Sequence, residues 1–139
     1  TRLSSDFMII ARIDSLILEK GMNDAIERAK SYVEAGADAI MIHSRLKDPN
    51  EIFTFAKLFR SYFEHVPLVC VPTSYNSVKE DELQKAGFNV VIYANQLMRA
   101  SYPAMKSVAH KILKYGRSAE VDKELITIKE VLDLIPGTK

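Results

Sequence analysis

The stretch Glu34-Ala35-Gly36-Ala37-Asp38-Ala39-Ile40-Met41-Ile42-His43-Ser44 contains one complete transition from a helix to a strand and then to polar side chains. Gly36 suits the left-handed backbone conformation in which many helices end. The run Ala39–Ile42 is short and wholly apolar, which is typical of a buried strand in a parallel sheet. His43 and Ser44 follow the run directly, so we expect them at the carboxyl end of that strand.

Three further apolar runs repeat this order of strand, polar group and helix. The runs are Phe7–Ala11, Leu68–Val71 and Val90–Tyr93. The polar segments after them are Arg12-Ile13-Asp14, Thr73-Ser74-Tyr75-Asn76 and Asn95-Gln96. In parallel α/β enzymes, the residues just past the carboxyl ends of the strands face the substrate. The repeated order therefore predicts an α/β fold whose functional groups collect at one edge of a parallel sheet.

Capping signals and apolar spacing predict the helices between these runs. Asp48-Pro49-Asn50-Glu51, Ser77-Val78-Lys79-Glu80 and Thr127-Ile128-Lys129-Glu130 each have the pattern of a helix start. The segment 96–115 also has a helical pattern, but it contains Pro103. Because proline cannot donate the backbone hydrogen bond, we expect a kink or a new helix at this residue.

Composition limits the kind of protein this is. A chain of 139 residues with 47% hydrophobic and 27% charged residues can form one ordinary core, so we expect a single domain over residues 1–139. The net charge of +1 gives no argument for binding nucleic acid or an anionic membrane. We expect a small-molecule partner, no nucleic acid, no membrane and a cytoplasmic location. Cys70 lies inside an apolar run and is expected to be a buried structural thiol.

The number of strands leaves two architectures open. A closed (β/α)₈ barrel has eight strands and usually about 250 residues. Four parallel strands alone have two open edges and an exposed face, which favours unwanted strand pairing. The chain is therefore either a small open sheet or the C-terminal half of a barrel, and composition does not choose between them.

Four sequence motifs occur in order along the chain. They are Ile10-Ala11-Arg12-Ile13-Asp14-Ser15, the stretch 34–44, Val71-Pro72-Thr73-Ser74-Tyr75-Asn76 and Val91-Ile92-Tyr93-Ala94-Asn95-Gln96-Leu97-Met98-Arg99-Ala100. Together they resemble the phosphoenolpyruvate mutase branch of the isocitrate lyase superfamily. The resemblance extends over essentially the whole chain, in order and with matching spacing. It implies strands five to eight of a (β/α)₈ barrel, with an additional C-terminal helix that relatives exchange between subunits.

The resemblance also implies an activity. The family's mutase is an isomerase that interconverts phosphoenolpyruvate and phosphonopyruvate, the step that forms the carbon–phosphorus bond in phosphonate biosynthesis. We expect a Mg²⁺-dependent, cytoplasmic homotetramer built as a dimer of dimers. In the family, the direct magnesium ligands, the reactive aspartate and the gating loop belong to the first half of the barrel. We therefore expect no direct metal ligand in this chain and no catalysis by these 139 residues alone.

The resemblance assigns roles to the polar residues at the strand ends. Arg12 would hold the phosphoryl and carboxylate oxygens of the substrate, because a guanidinium presents a fixed fork of donors to oxyanions. His43 would be catalytic and lie against the transferring phosphoryl group. The alternatives are an ion pair between Arg12 and Asp14 at the barrel rim, and a histidine that is simply packed at a strand end.

The resemblance also suggests roles for four other polar residues, Asp14, Thr73, Asn95 and Ser44. Asp14 would act near the magnesium ion through water. Thr73 and Asn95 would either hydrogen-bond the substrate carboxylate or close the top of the barrel. Ser44, beside His43, would contact the substrate or serve the structure.

Other activities stay open to different degrees. Carbon–carbon lyases of the superfamily have glutamate and asparagine where His43 and Val71 stand, so those two residues argue against a lyase. Phosphonopyruvate hydrolase shares the arginine, the histidine and the Val-Pro-Thr segment, and it is the principal alternative. The segments 74–77 and 80–83 resemble bacterial mutases more closely. A non-catalytic half-barrel that assembles with a partner is a further alternative, and a nucleotide-binding sheet is disfavoured because no glycine-rich loop follows a strand.

Overall fold

The computed structural model describes Ser4, residues 6–135 and Gly137. The chain divides into two compact units, residues 1–94 and residues 95–139. The first unit contains a parallel sheet and three helices, and the second contains helices only in its described part. A single domain over residues 1–139 stays a prediction.

The first unit alternates strands and helices as the sequence predicts. Its strands are β1 (Ile10–Ile13), β2 (Ala39–Ile42), β3 (Leu68–Cys70) and β4 (Val90–Val91). Its helices are α1 (Gly21–Glu34), α2 (Asn50–Tyr62) and α3 (Glu80–Lys85). The strands pair in the order β1-β2-β3-β4, and every pairing is parallel. All four carboxyl ends therefore lie at the same edge of the sheet.

The core lies between this sheet and the helices that connect its strands. Ile40, Ile42 and Leu68 of the central strands are fully buried. Helix α2 packs Phe55 and Phe59 into the same core, with their rings stacked 5.9 Å apart. Burial of each such side chain stabilises the fold by roughly 1.5–3 kcal/mol. This packing fixes the strand ends to which the polar residues are attached.

Most of the predicted helix boundaries are confirmed. Gly36 has a φ of +93° and ends α1 in the left-handed conformation. Asp48 accepts a hydrogen bond from the backbone N–H of Asn50 at 2.9 Å, where α2 begins. The helix start at Ser77 is wrong, since α3 begins at Glu80. The reason is that Val78 packs against the core and closes a turn onto Tyr75, which keeps this segment out of the helix.

Cys70 is a buried free thiol, as predicted. Its sulfur lies against the hydroxyl group of Tyr75, and burial raises the pKa of the thiol to about 12. Burial likewise raises the pKa of Tyr75. Both groups stay protonated at neutral pH, and both side chains pack in the core near the end of β3.

The second unit consists of α4 (Gln96–Tyr115), a 3₁₀ helix (Ala119–Glu124) and α5 (Ile128–Asp133). Helix α4 continues through Pro103, so the expectation of a new helix there is wrong. Thr127 and Glu130 form the predicted capping box at the start of α5. Within the described part of the chain, none of the helices has the length and apolar character needed to cross a bilayer.

Candidate active site

Arg12 and Asp14 form an ion pair at the end of β1. The Nε–H of Arg12 donates to Oδ1 of Asp14 at 2.9 Å, and both side chains are about half exposed. Arg12 lies within the strand rather than after it, because the pairing with β2 continues to Ile13. Ile13 is buried, so the alternation along a strand places Arg12 and Asp14 together on the opposite face.

His43 directly follows β2 and is attached to the end of β1. Its backbone N–H donates to the carbonyl oxygen of Ile13 at 3.3 Å. The pKa of His43 is lowered, first by burial of the imidazole and then by the positive charges of Arg12 and Arg45, while Asp14 opposes the shift. The imidazole is therefore neutral at pH 7, and its buried Nδ1 has no hydrogen-bond partner among the residues that the structure describes.

Together, Arg12, Asp14 and His43 form a small polar cluster across two neighbouring strand ends. The ion pair uses one N–H of Arg12, and a guanidinium carries four more donors. A neutral imidazole can both donate and accept a hydrogen bond. The cluster thus combines a permanent cation with a neutral donor, and this arrangement suits a small oxyanionic ligand.

Two other predicted residues lie at the same edge of the sheet. Thr73 is half-buried in the turn after β3, where its backbone N–H donates to the carbonyl oxygen of Val71 at 2.8 Å. Ser44 is fully buried. Its hydroxyl donates to the carboxylate of Glu51 and accepts from the backbone N–H of Leu46. The hydroxyl group of Ser44 therefore already donates one hydrogen bond and accepts another within the protein.

Asn95 is the first residue of the second compact unit. Its backbone N–H donates to the side-chain oxygen of Gln96 at 3.1 Å, and its side-chain oxygen accepts a long bond of 3.5 Å from Arg99. The hydrogen bonds described for Asn95 are therefore local to the start of α4. The structure brings Arg12, Asp14 and His43 together, whereas the roles of Thr73 and Asn95 stay predictions.

A second polar group beside the cluster was not predicted. Ser15, the residue after Asp14, is buried, and its hydroxyl donates to Oδ2 of Asp24 at 2.6 Å. Arg28 donates to the same oxygen at 2.7 Å. The hydrogen bond from Arg28, followed by that from Ser15, lowers the pKa of Asp24. An acidic residue in the first turn of a helix is so common that no sequence signal distinguishes this contact.

Arg60 was missed as well, and it lies at the opposite end of the sheet. Its guanidinium donates to the carbonyl oxygens of Phe63, Glu64, Val66 and Gly87. It also donates to the side-chain oxygen of Asn89. A cavity of about 510 Å³ adjoins this group. Because these residues precede β3 and β4, they lie away from the strand ends that carry the candidate site.

Among the described residues, no group of three His, Cys, Asp or Glu side chains lies together in a way that could hold a metal ion. The carboxylate that acts on His43 is that of Asp14, and one of its oxygens already accepts from Arg12. Mg²⁺ usually takes one or two carboxylates together with several waters. A contact of Asp14 with the ion through water stays a prediction.

Comparisons with known proteins show which enzymes this chain resembles. The family model described as phosphoenolpyruvate phosphomutase matches residues 1–113. The chain is 43% identical over 136 residues to the phosphonopyruvate hydrolase of Variovorax sp. (strain Pal2), in a match that covers 96% of this chain and 45% of that protein.

Two solved structures have the same fold. The phosphoenolpyruvate phosphomutase from Streptomyces platensis subsp. rosaceus matches with a TM-score of 0.85 at 36% identity, over 94% of this chain and 45% of that one. A phosphonopyruvate hydrolase in complex with oxalate and Mg²⁺ matches with a TM-score of 0.83 at 42% identity, over 96% of this chain and 46% of that one.

The match extends over nearly the whole of this chain, while the chain spans about half the length of the relatives it matches. The predicted α/β fold, about half of the barrel-type structure of these enzymes, is confirmed. The chain belongs to the phosphoenolpyruvate phosphomutase family.

Proposed function

We propose that the chain forms part of a phosphoenolpyruvate mutase, which interconverts phosphoenolpyruvate and phosphonopyruvate. The observation that carries the proposal is the cluster of Arg12, Asp14 and His43 at the carboxyl edge of the parallel sheet. In barrel enzymes this edge is where catalytic residues collect. A non-catalytic assembly subunit would have no need of a cation and a neutral imidazole at this position.

Each residue of the cluster has a role in this proposal. The reaction breaks the carbon–phosphorus bond of phosphonopyruvate and joins the phosphoryl group to the enolate oxygen of pyruvate. Arg12 binds phosphoryl and carboxylate oxygens and offsets their charge, and the ion pair with Asp14 holds the guanidinium in place. His43 donates a hydrogen bond to the transferring phosphoryl group. Thr73 and Asn95 are proposed to contact the substrate carboxylate.

Magnesium is part of the proposal, with its direct ligands outside the described residues. A related hydrolase structure contains Mg²⁺ together with oxalate. The metal would neutralise charge on the phosphoryl and enolate oxygens. We propose that Asp14 contacts the bound ion only through water.

Phosphonopyruvate hydrolase is the second candidate, and the 43% identity to the Variovorax enzyme favours it. Both activities begin with phosphonopyruvate and cleavage of its carbon–phosphorus bond. They differ in the acceptor of the phosphoryl group, which is the enolate oxygen in the mutase and water in the hydrolase. The cluster of Arg12, Asp14 and His43 is compatible with either acceptor.

The decisive experiment follows the phosphorus atom in the polypeptide that carries this chain. Phosphonopyruvate is supplied with Mg²⁺, and the products are observed by ³¹P NMR. Phosphoenolpyruvate as the product supports the mutase, and phosphate with pyruvate establishes the hydrolase instead. The intact mass of the same material is measured first. A mass of 15.7 kDa without turnover would contradict the enzymatic proposal and leave an assembly role.

Two variants test the proposed roles. His43→Asn and Arg12→Lys should each lower kcat/KM on the order of 10²-fold, because neither new side chain presents its N–H donors where the imidazole or the guanidinium fork stabilises the transition state. His65→Asn is the matched control, since His65 is 91% exposed and distant in sequence from the cluster. Equal activity of His43→Asn and His65→Asn would exclude a catalytic role for His43.

The assembly and location stay proposals. We propose a homotetramer, built as a dimer of dimers, in the cytoplasm. Sedimentation equilibrium of the active material would test the first of these, and a single species of another size would contradict it.

A further inference from the structure

Two serines with the same surroundings follow the residues of the candidate site. Ser15 follows Asp14, and Ser44 follows His43. Both side chains are buried, with exposed fractions of 2% for Ser15 and 1% for Ser44. A buried hydroxyl is costly unless it is hydrogen-bonded, so its partner is structurally important.

Each serine donates to an acidic residue in the first turn of the helix that follows its strand. Ser15 donates to Asp24 of α1 at 2.6 Å, and Ser44 donates to Glu51 of α2. The two β/α units thus use the same contact, although their connecting loops, residues 14–20 and 43–49, differ in sequence. Each carboxylate also lies near the positive end of a helix dipole, where its negative charge is favoured.

These contacts act on the backbone at the points where the site residues are attached. Ser44 also accepts from the backbone N–H of Leu46 at 3.0 Å, which fixes the first turn after His43. In the other unit, the backbone N–H of Lys20 donates to the carbonyl oxygen of Ser15 at 2.9 Å and closes the turn after Asp14. A rotation at either serine would therefore move the adjacent site residue.

We propose that Asp24 and Glu51 are positioning residues that hold Asp14 and His43 in place through the buried hydroxyls of Ser15 and Ser44. The proposal rests on the proposed function for its effect on turnover, but its effect on the site geometry does not depend on any activity. A displacement of about 1 Å in a catalytic group can lower the rate by about 10²-fold.

The test uses variants that differ in whether an acceptor or donor remains. Glu51→Ala and Ser44→Ala remove one side of the bond, whereas Glu51→Gln and Ser44→Thr keep an oxygen that can take part in it. Asp24→Ala and Asp24→Asn form the corresponding pair in α1. Glu27→Gln is the control. The side chain of Glu27 forms an ion pair with Lys30 and is largely exposed.

The first readout is the titration of His43, followed by NMR in the polypeptide that carries the chain. Burial is the main cause that lowers the pKa of this imidazole. Loss of the Ser44–Glu51 bond should let water reach it, so its pKa should rise toward about 6.5 in the two alanine variants. Glu51→Gln and Ser44→Thr should retain the pKa of the unsubstituted protein.

The second readout is turnover of phosphonopyruvate with Mg²⁺. The alanine variants should lower kcat by about 10-fold to 10²-fold with little change in KM, and the amide and threonine variants should restore it. Variants that lower only the melting temperature, with an unchanged His43 titration and unchanged kcat, would overturn the proposal. If the alanine variants do not fold, Ser44→Cys keeps the size and weakens the hydrogen bond, and it should show the same shift in smaller measure.

The two readouts separate this inference from the proposed function. If the unsubstituted protein does not turn over phosphonopyruvate, the function fails, and the His43 titration still decides the positioning role. If turnover is present but no variant shifts the titration or kcat, the positioning role fails and the function stands.

Discussion

The charges around His43 make its titration a direct test of the site at the level of single residues. Burial and the charge of Arg12 lower the pKa of His43, and Asp14 raises it. Arg12→Gln should therefore raise this pKa, and Asp14→Asn should lower it further. The pH dependence of the imidazole NMR signals measures both shifts.

Arg117→Gln is the control for that experiment, because Arg117 is an exposed residue that pairs with Glu120. It should leave the titration of His43 unchanged. If the Arg12 and Asp14 variants shifted the pKa in the same direction, the described cluster of charges would be wrong. This result would also remove the main support for substrate binding by Arg12.

Glu19 carries local backbone strain in the turn between the site and α1. It is the non-glycine residue with a positive φ among the described residues, at +57°. A side chain in this conformation costs roughly 1–2 kcal/mol. Glu19→Gly should therefore be more stable to urea than Glu19→Ala by about 1 kcal/mol, since both lose the same carboxylate and only glycine relieves the strain. Equal stability of the two variants would show that the turn is unstrained.

At the scale of secondary-structure elements, Arg60 joins the end of α2 to the chain that enters β3 and β4. Its guanidinium donates to four carbonyl oxygens and to Asn89. A lysine has three donors on one atom and cannot reach this set. Arg60→Lys should lower the free energy of unfolding by about 2–4 kcal/mol, measured by urea denaturation.

Arg117→Lys is the matched control for Arg60→Lys, because its partner Glu120 can be reached by either cation and the side chain of Arg117 is 71% exposed. It should change stability by less than about 0.5 kcal/mol. A similarly small effect at position 60 would mean that the carbonyl oxygens are satisfied without the guanidinium.

The elements themselves were predictable to different degrees. The strand Ala39–Ile42 has the predicted bounds, because an apolar run between glycine and a polar segment leaves little choice. The strand predicted at Phe7–Ala11 instead spans Ile10–Ile13, since pairing with β2, which the sequence does not show, decides where β1 ends. The bonds of Arg60 to Gly87 and Asn89 were missed because they join residues that are distant in sequence. The serine contacts were missed because they depend on the path of the loop between strand and helix, which the sequence does not show.

The candidate site, like the secondary-structure elements, could be predicted from the sequence only in part. Arg12, Asp14 and His43 were predicted from their position after apolar runs, and the structure brings them together because parallel pairing aligns the strand ends. The hydrogen bond from Ser44 to Glu51, in contrast, depends on how α2 packs against the sheet. A sequence pattern gives the residues that reach an edge of the sheet, but side-chain partners depend on packing.

At the scale of the whole molecule, β1 and β4 are the edge strands of the sheet, and each pairs with one neighbouring strand in the described part of the chain. Large apolar side chains near them are exposed, among them Phe7, Met8 and Tyr93. Unpaired edges and exposed apolar surface favour association. The 139-residue chain alone should therefore elute larger than a monomer in size-exclusion chromatography with light scattering. Phe7→Lys with Met8→Lys should shift it toward the monomer mass of 15.7 kDa, and a monomeric unsubstituted chain would contradict the expectation.

Stability of the whole chain should fall as the solution becomes acidic, because three groups have lowered pKa values in the folded state. Burial lowers that of His43, hydrogen bonds from Arg28 and Ser15 lower that of Asp24, and bonds from Thr127 lower that of Glu130. Each group binds fewer protons when folded than when unfolded, so its contribution to stability is present above its unfolded pKa and is lost below it.

The loss of stability begins below pH 6.5 for His43, below pH 4.5 for Glu130 and below pH 3.8 for Asp24. The urea midpoint should therefore decrease from about pH 7 to 5.5 and again below about pH 4.5, and His43→Gln should abolish only the first decrease. A first decrease of the same size in His43→Gln would show that His43 does not titrate as the site geometry requires.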